Sequence, residues 1–204
     1  MNYNLIIQWI SYFFIYSFIG WIWEVCLVFS REKHFVNRGF MHGPILPIYG
    51  FGAIMILAVT TPFKESLPLV FISGMIGATL LEYVTGAAME SLFHVRYWDY
   101  SDNRFNLNGH ICLMATLAWG VFSVIMVKWI HPPIEEWFHN FNWMFSQIMT
   151  LIVLIIATSD FSIAFYEAMD LREVIDQLAE NNRTVRRISM RIDAYRAFLE
   201  LDEE

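Results

Sequence analysis

Charged and apolar positions fall into separate blocks along this chain. Residues 1–23, 39–63, 66–81, 105–127 and 137–159 contain no Asp, Glu, Lys or Arg. A helix rises ~1.5 Å per residue and the hydrocarbon core of a bilayer is ~30 Å thick, so a spanning helix needs ~20 mostly apolar residues. Four of the five blocks meet that length outright; the third, 66–81, meets it only by running on through Glu82 to Glu90. The pattern predicts five transmembrane helices, near Leu5–Phe29, Ile45–Thr61, Leu67–Phe93, Ile111–Ile130 and Trp143–Ala164. The expected fold is all-α and integral to the membrane. A five-transmembrane-helix bundle occupies residues 1–168, and a cytoplasmic amphipathic or coiled-coil helix occupies 169–204.

Composition strengthens this reading. Hydrophobic residues make up 57% of the 204 positions and charged residues 16%, against about 25% charged in soluble domains. A soluble chain this short has nothing but lipid against which to bury five such helices. Leu5–Phe29 does not read as a cleavable signal, because no basic residue precedes it and no small-x-small site follows. Cys26 and Cys112 are the only cysteines, in or beside spans, and read as packing residues without a disulfide framework. The net charge of −7 says little about partners, and no nucleic-acid partner is expected.

Lys and Arg set the orientation, since they collect in cytoplasmic loops near helix ends. With the C-terminus inside, the 30–44 loop (Arg31, Lys33, Arg38), the 94–110 loop (Arg96, Arg104) and the tail place eleven basic residues in the cytoplasm. Only Lys64 and Lys128 fall outside. Trp129, Trp137 and Trp143 fit an aromatic belt at the outer face, and Tyr97, Trp98, Tyr100 and Tyr166 one at the inner face. The expectation is a multi-pass plasma-membrane protein, N-terminus outside and C-terminus cytoplasmic.

The two inner loops are rich in turn formers and aromatics. Four carboxylates lie within spans, and the topology puts Glu24, Glu82, Glu90 and Asp160 all in the cytoplasmic half. An ionisable side chain at the centre of a span costs about 2.5–3.5 kcal/mol on insertion scales, so it usually faces the bundle interior or water. Gly74, Ala78, Glu82, Gly86 and Glu90 recur every four residues and form one drifting stripe, where small residues admit a neighbouring helix and the acids sit at the contact. One reading is a cytoplasm-facing acidic cavity for a cation or polar headgroup. Its candidate residues are Glu82, Glu90, Glu24, Asp160, Arg38, His42, Arg96, Asp99 and His110. The other is structural: ion pairs such as Glu24 with Arg38 or Glu90 with Arg96, and a neutral Glu82 held by Tyr83 or Thr85.

The catalytic search is negative. The sequence has no P-loop, HExxH or GxSxG, so no catalytic residue and no cofactor is assigned. His42, His94 and His110 could meet at the inner face, but their spacing is not that of metal ligands, and no metal is expected. In the tail, Leu171, Val174, Leu178, Asn181, Val185, Ile188, Ile192, Tyr195 and Leu199 step by three and four residues. That is a heptad seam suited to a coiled coil, to a homo-oligomer through 171–199, or to docking on a partner.

These segments resemble the CmpB-type family of bacterial multi-pass membrane proteins, the ABC transporter permease type. The resemblance runs from about Phe14 to Gly120 and is carried by YSFIGWIWE (Tyr16–Glu24), NRGFMHGPILPIYGFGA (Asn37–Ala53), LLEYVTGAAME (Leu80–Glu90) and RYWDYSDNRFNLNGHICL (Arg96–Leu113), with Trp119 and Gly120. His110 stands where the resemblance leads one to expect Arg, so the fixed positive charge that the resemblance implies at the mouth is replaced by an imidazole. The resemblance implies a permease-like membrane subunit working in the lipid bilayer with a separate ATPase subunit. Two other functions fit the residues: a lipid-acting intramembrane enzyme using its buried carboxylates, and a membrane sensor or scaffold signalling through its tail.

Overall fold

The computed structural model describes residues 3–140 and 142–181. Among these it is helical apart from loops and one isolated bridge between Leu107 and Ile111. Helix α1 spans Tyr3–Glu32, α2 Pro47–Thr60 and α3 Leu67–Phe93. Helix α4 spans Leu113–Ile125, α5 His131–Asn140 and α6 Trp143–Asn181. Four helical stretches are long and apolar enough to cross a membrane: Leu5–Glu32, Leu67–Phe93, Leu113–Phe138 and Trp143–Val174. Pro47–Phe63, α2 with the 3₁₀ turn Thr61–Phe63 that follows it, is apolar but shorter.

Local chemistry sets the boundaries. Pro47 and Pro68 sit in the first turns of α2 and α3, where a missing N–H leaves no bond unmade. Helix α3 begins and ends where the charge pattern predicts. Its last turn is closed by His94, a residue with left-handed φ of 57° whose N–H bonds Glu90 O. The fourth span departs from expectation. It does not stop at Ile130 but passes through a π-helical turn, Met126–Ile130, into α5. The cause is Pro132 and Pro133, which cannot donate to the carbonyls a turn earlier. The His131 N–H bonds Met126 O just ahead of them, and the widened turn lets the helix continue. Helix α6 likewise runs unbroken past Ala164. Most of the heptad seam from Leu171 to Leu199 lies outside the described residues.

Sequence neighbours pack together: α1 on α2, α2 on α3 and α3 on α4, with α6 touching α1 and α3. The core gathers around Ile56, Met126 and Val70, all fully buried. Close approach comes from small residues. Gly50 admits Ser17 and Phe13 of α1, and Gly74 admits Ser123 of α4. The outward side of α3 shows Leu69, Ile72, Ile76, Leu80 and Val84, an exposed apolar stripe opposite the glycines. A soluble helix would carry charge there; this face suits lipid.

Both basic loops come to one end of the bundle, hereafter the loop end. Phe40 of the first loop stacks near Phe93, Phe161 and Tyr97, with ring centroids 5.5, 5.5 and 6.3 Å away. Phe165 of α6 joins Phe93 at 5.5 Å.

Candidate functional site

The small-residue stripe of α3 is buried at Gly74, Ala78, Glu82 and Gly86. Gly86 leaves room for the His110 ring and the Trp98 indole, so the 94–112 loop folds inward over this face. The loop is a self-bonded knuckle. Tyr100 N–H donates to Gly109 O at 2.8 Å, and Trp98 Nε1 donates to His110 O at 2.8 Å. Gly109, at φ 76°, takes a left-handed turn, and a side chain there would strike Arg96, Ser101 and Asp99.

Inside this fold sits Glu82, only 7% exposed. Trp119 Nε1 of α4 donates to Glu82 Oε2 at 2.9 Å, and the Tyr100 hydroxyl donates to Glu82 Oε1 at 3.2 Å. Each oxygen of the carboxyl therefore has a donor. The sequence suggested Tyr83 or Thr85 for this role. Instead, Tyr83 accepts a bond from Asn108 Nδ2 at 3.0 Å, because its ring points toward the loop rather than along the stripe.

Two turns toward the loop end, Glu90 is shared by two basic side chains. Arg96 Nε donates to Glu90 Oε1 at 2.8 Å, and His110 Nε2 lies 3.3 Å from Glu90 Oε2. The Glu90–Arg96 pair read from sequence is formed. Arg96 also reaches Asp99 at 3.4 Å. Burial pushes the Asp99 carboxyl up, but hydrogen bonds from Ser101 and the Arg96 charge outweigh it and hold the group below the ordinary aspartate range.

Glu24 joins this group from α1 through an aromatic partner. The Tyr49 hydroxyl donates to Glu24 Oε1 at 2.7 Å, and the Tyr49 ring lies over Gly20 of α1. Tyr49 and Tyr100 each lie within electrostatic reach of both Glu24 and Glu82. The structure thus brings Glu24, Glu82, Glu90, Arg96, Asp99 and His110 to one region between α1, α3 and the knuckle. Sequence reasoning did not assign Tyr49, Tyr100 and Trp119 as donors. Their signal was available: each couples an apolar body to one polar tip, which a buried carboxylate requires.

Asp160 belongs to a separate group. It accepts the backbone N–H of His42 at 3.2 Å and of Gly43 at 2.8 Å, and His42 Nδ1 lies 3.0 Å from it. His42 Nε2 lies 2.9 Å from Glu167, so both ring nitrogens face carboxylates of α6. Arg38, partly buried, lies in the same loop. His94 Nδ1 is 2.8 Å from Asp176, and Arg172 Nη1 donates to Leu92 O at 3.0 Å. The three histidines read from sequence as possible neighbours therefore face different acids: Asp160 and Glu167, Asp176, and Glu90. The fold distributes them because each terminates or flanks a different element.

The hydrogen bond to Asp160 raises the pKa of His42; partial burial opposes it, and the Glu167 charge adds to the rise. A folded-state pKa above the unfolded value of about 6.5 means the clasp stabilises fully below that pH, and is lost as pH rises through the folded value. Thermal unfolding in detergent should therefore show wild-type Tm falling as pH rises through this range, and a flatter profile for His42→Gln. Superimposable profiles for the two proteins would remove His42 as the titrating clasp.

No curated protein and no solved structure matches this chain. A family model described as "Putative ABC-transporter type IV" matches residues 11–165, well over half of the chain, from the third turn of α1 into α6. That stretch contains the Glu82 group, the knuckle and the His42–Asp160 contact, and with it the chain belongs to the CmpB-type ABC-transporter family.

Proposed function

We propose that this protein is a permease-like membrane subunit of an ABC-type transporter, whose buried carboxylates form a cytoplasm-facing acidic site for a cation or a polar headgroup. The observation that carries this reading is Glu82. It is a carboxyl deep in a span, closed over by Tyr100 of an inward-folded loop and by Trp119 of the next helix. Ionisable groups held this way usually mark a substrate or ion pathway. Tyr100 is attached through the knuckle to Arg96 and Glu90, so moving the loop opens the Glu82 carboxyl to the loop end. A separate ATPase subunit, docked there, is the natural source of that motion.

In this reading α2 with its 3₁₀ turn makes a fifth crossing. The excess of Arg and Lys in the loop-end segments then places that end in the cytoplasm and the N-terminus outside. Labelling single cysteines, on a background lacking Cys26 and Cys112, tests it directly. An impermeant thiol reagent should label Lys64→Cys and Asn140→Cys in intact cells, and should leave His34→Cys and Asn103→Cys unlabelled. Labelling at Asn103→Cys from outside would reverse the orientation. The function itself is tested by mild-detergent purification with mass spectrometry of proteins and lipids. Recovery of an ATPase with the chain supports the reading. Recovery of a soluble regulator without any ATPase, or of a lipid that the chain alone converts, would replace it.

A further inference from the structure

The knuckle that closes over Glu82 ends in an apolar tip. Phe105 is 81% exposed and Leu107 52%. Phe105 holds a left-handed φ of 54°, a region that bulky side chains rarely enter. Asn106, between the two, fixes the turn from inside. Its Nδ2 donates to Ser101 O at 3.1 Å and to Asn103 O at 2.8 Å, and its Oδ1 accepts the Gly109 N–H at 3.2 Å. Polar groups of the turn are thus bonded within the loop, while its two large apolar side chains stand outside. An exposed apolar patch on an ordered loop marks a surface that meets something else.

The position of the tip says what it meets. Asn108 Nδ2 donates to the Tyr83 hydroxyl at 3.0 Å, and Tyr83 stands ten residues before Phe93, the end of α3. Ten helical residues rise about 15 Å, so the knuckle lies alongside α3 and not beyond its end. Tyr83 is flanked on α3 by Leu80 and Val84, which are 58% and 54% exposed on the lipid-suited stripe. On its other side, Leu107 N–H donates to Ile111 O at 3.0 Å, three residues before Met114. Met114, Leu117 and Val121 are the exposed apolar face of α4. Leu107 therefore stands where the exposed apolar faces of two spans reach the knuckle. A subunit arriving from water would meet the end of the bundle, whereas this surface runs on into its sides.

We propose that Phe105 and Leu107 anchor the knuckle in the bilayer, inserting into the boundary between headgroups and acyl chains of the loop-end leaflet. Apolar and aromatic side chains bind there by the apolar area they bury. Arg104, exposed beside Phe105, is placed to meet a lipid phosphate, since a long basic side chain keeps its charged head in the polar layer while its stem lies along apolar surface. The anchor has a consequence for Glu82. Lipid holds the same loop whose Tyr100 hydroxyl donates to that carboxyl, so the bilayer itself helps to keep the loop closed. The anchor goes beyond the transporter reading and stands whether or not an ATPase binds the chain.

The test places nitroxide spin labels on the full-length chain in phospholipid nanodiscs. The background is Cys26→Ser alone, because Cys112 is 2% exposed and should take up no label. The measured quantity is the ratio of relaxation by oxygen, which concentrates in lipid, to relaxation by a water-soluble nickel chelate. Val121→Cys, on the exposed face of α4, is the lipid reference, and His34→Cys, exposed in the first loop, is the water reference. Labels at Phe105→Cys and Leu107→Cys should give ratios several-fold above the His34→Cys value and approaching that of Val121→Cys. Adding Phe105→Asp to the Leu107→Cys chain should return its ratio to the water value, because a charge at the tip draws the loop out of the lipid. Gel filtration identifies the variants that retain the wild-type fold, and those decide. Ratios at 105 and 107 equal to that of His34→Cys would overturn the anchor and leave the tip as a face for a water-borne partner. An unchanged ratio at 107 in folded Phe105→Asp would also overturn it.

Discussion

Glu82→Gln should abolish function in a cell-based complementation assay while the protein still folds and reaches the membrane. The carboxyl accepts one bond from Trp119 Nε1 and one from the Tyr100 hydroxyl. A glutamine oxygen can keep one of these, and its amide can donate to the Tyr100 oxygen once that hydroxyl turns away. The local loss should then be about one ordinary hydrogen bond, roughly 0.5–1.5 kcal/mol, visible as a small drop in Tm. What Gln cannot do is ionise or balance an arriving cation. Glu82→Leu is the informative contrast. It leaves the buried Trp119 N–H and the Tyr100 hydroxyl without an acceptor, at about 1–3 kcal/mol each, and should lower Tm sharply. Full complementation by Glu82→Gln would reduce this carboxyl to a packing element and withdraw the acidic site.

A larger structural effect is expected at Gly50. A methyl group built there meets Phe13 O of the α1 backbone at 2.7 Å and also collides with the Ser17 hydroxyl. A side chain can rotate away, but a backbone carbonyl in a helix moves only with the helix. Gly50→Ala must therefore push α2 off α1, at a cost typical of overpacking, about 1–3 kcal/mol or more. The displacement would also carry Tyr49 away from Glu24. We expect a strongly lowered Tm in detergent and loss of complementation. Gly52→Ala is the control, because the nearest atom to its added methyl is on Trp119 at 4.0 Å, and it should behave as wild type. Equal stability of the two variants would show that α1 and α2 do not rely on this close approach.

The linear pattern of charge determined the class and most of the helices. A membrane span is set by one requirement, enough consecutive apolar residues to cross hydrocarbon, and that requirement is local. Leu67–Phe93 was legible to the residue for this reason. Where the apolar pattern alone was followed, the sequence misled: it ended the fourth span near Ile130, but the chain passes through a π turn at Met126–Ile130 and continues as α5. The burial of Glu82 on the small-residue stripe and the Glu90–Arg96 pair could also be read, since helical spacing and short loops keep such partners close. Tertiary structure alone decided what touches Glu82. Tyr100 is 18 residues away from it and Trp119 37, and no periodicity within one helix encodes a contact made by a folded-in loop and a neighbouring helix. The same holds for Glu24, which bonds Tyr49 because Gly20 lets that ring lie against α1. It holds for His42, clasped by α6 more than a hundred positions along the chain. Spacing along a helix fixes which side chains share a face; which faces meet is fixed by packing, and packing depends on every helix at once.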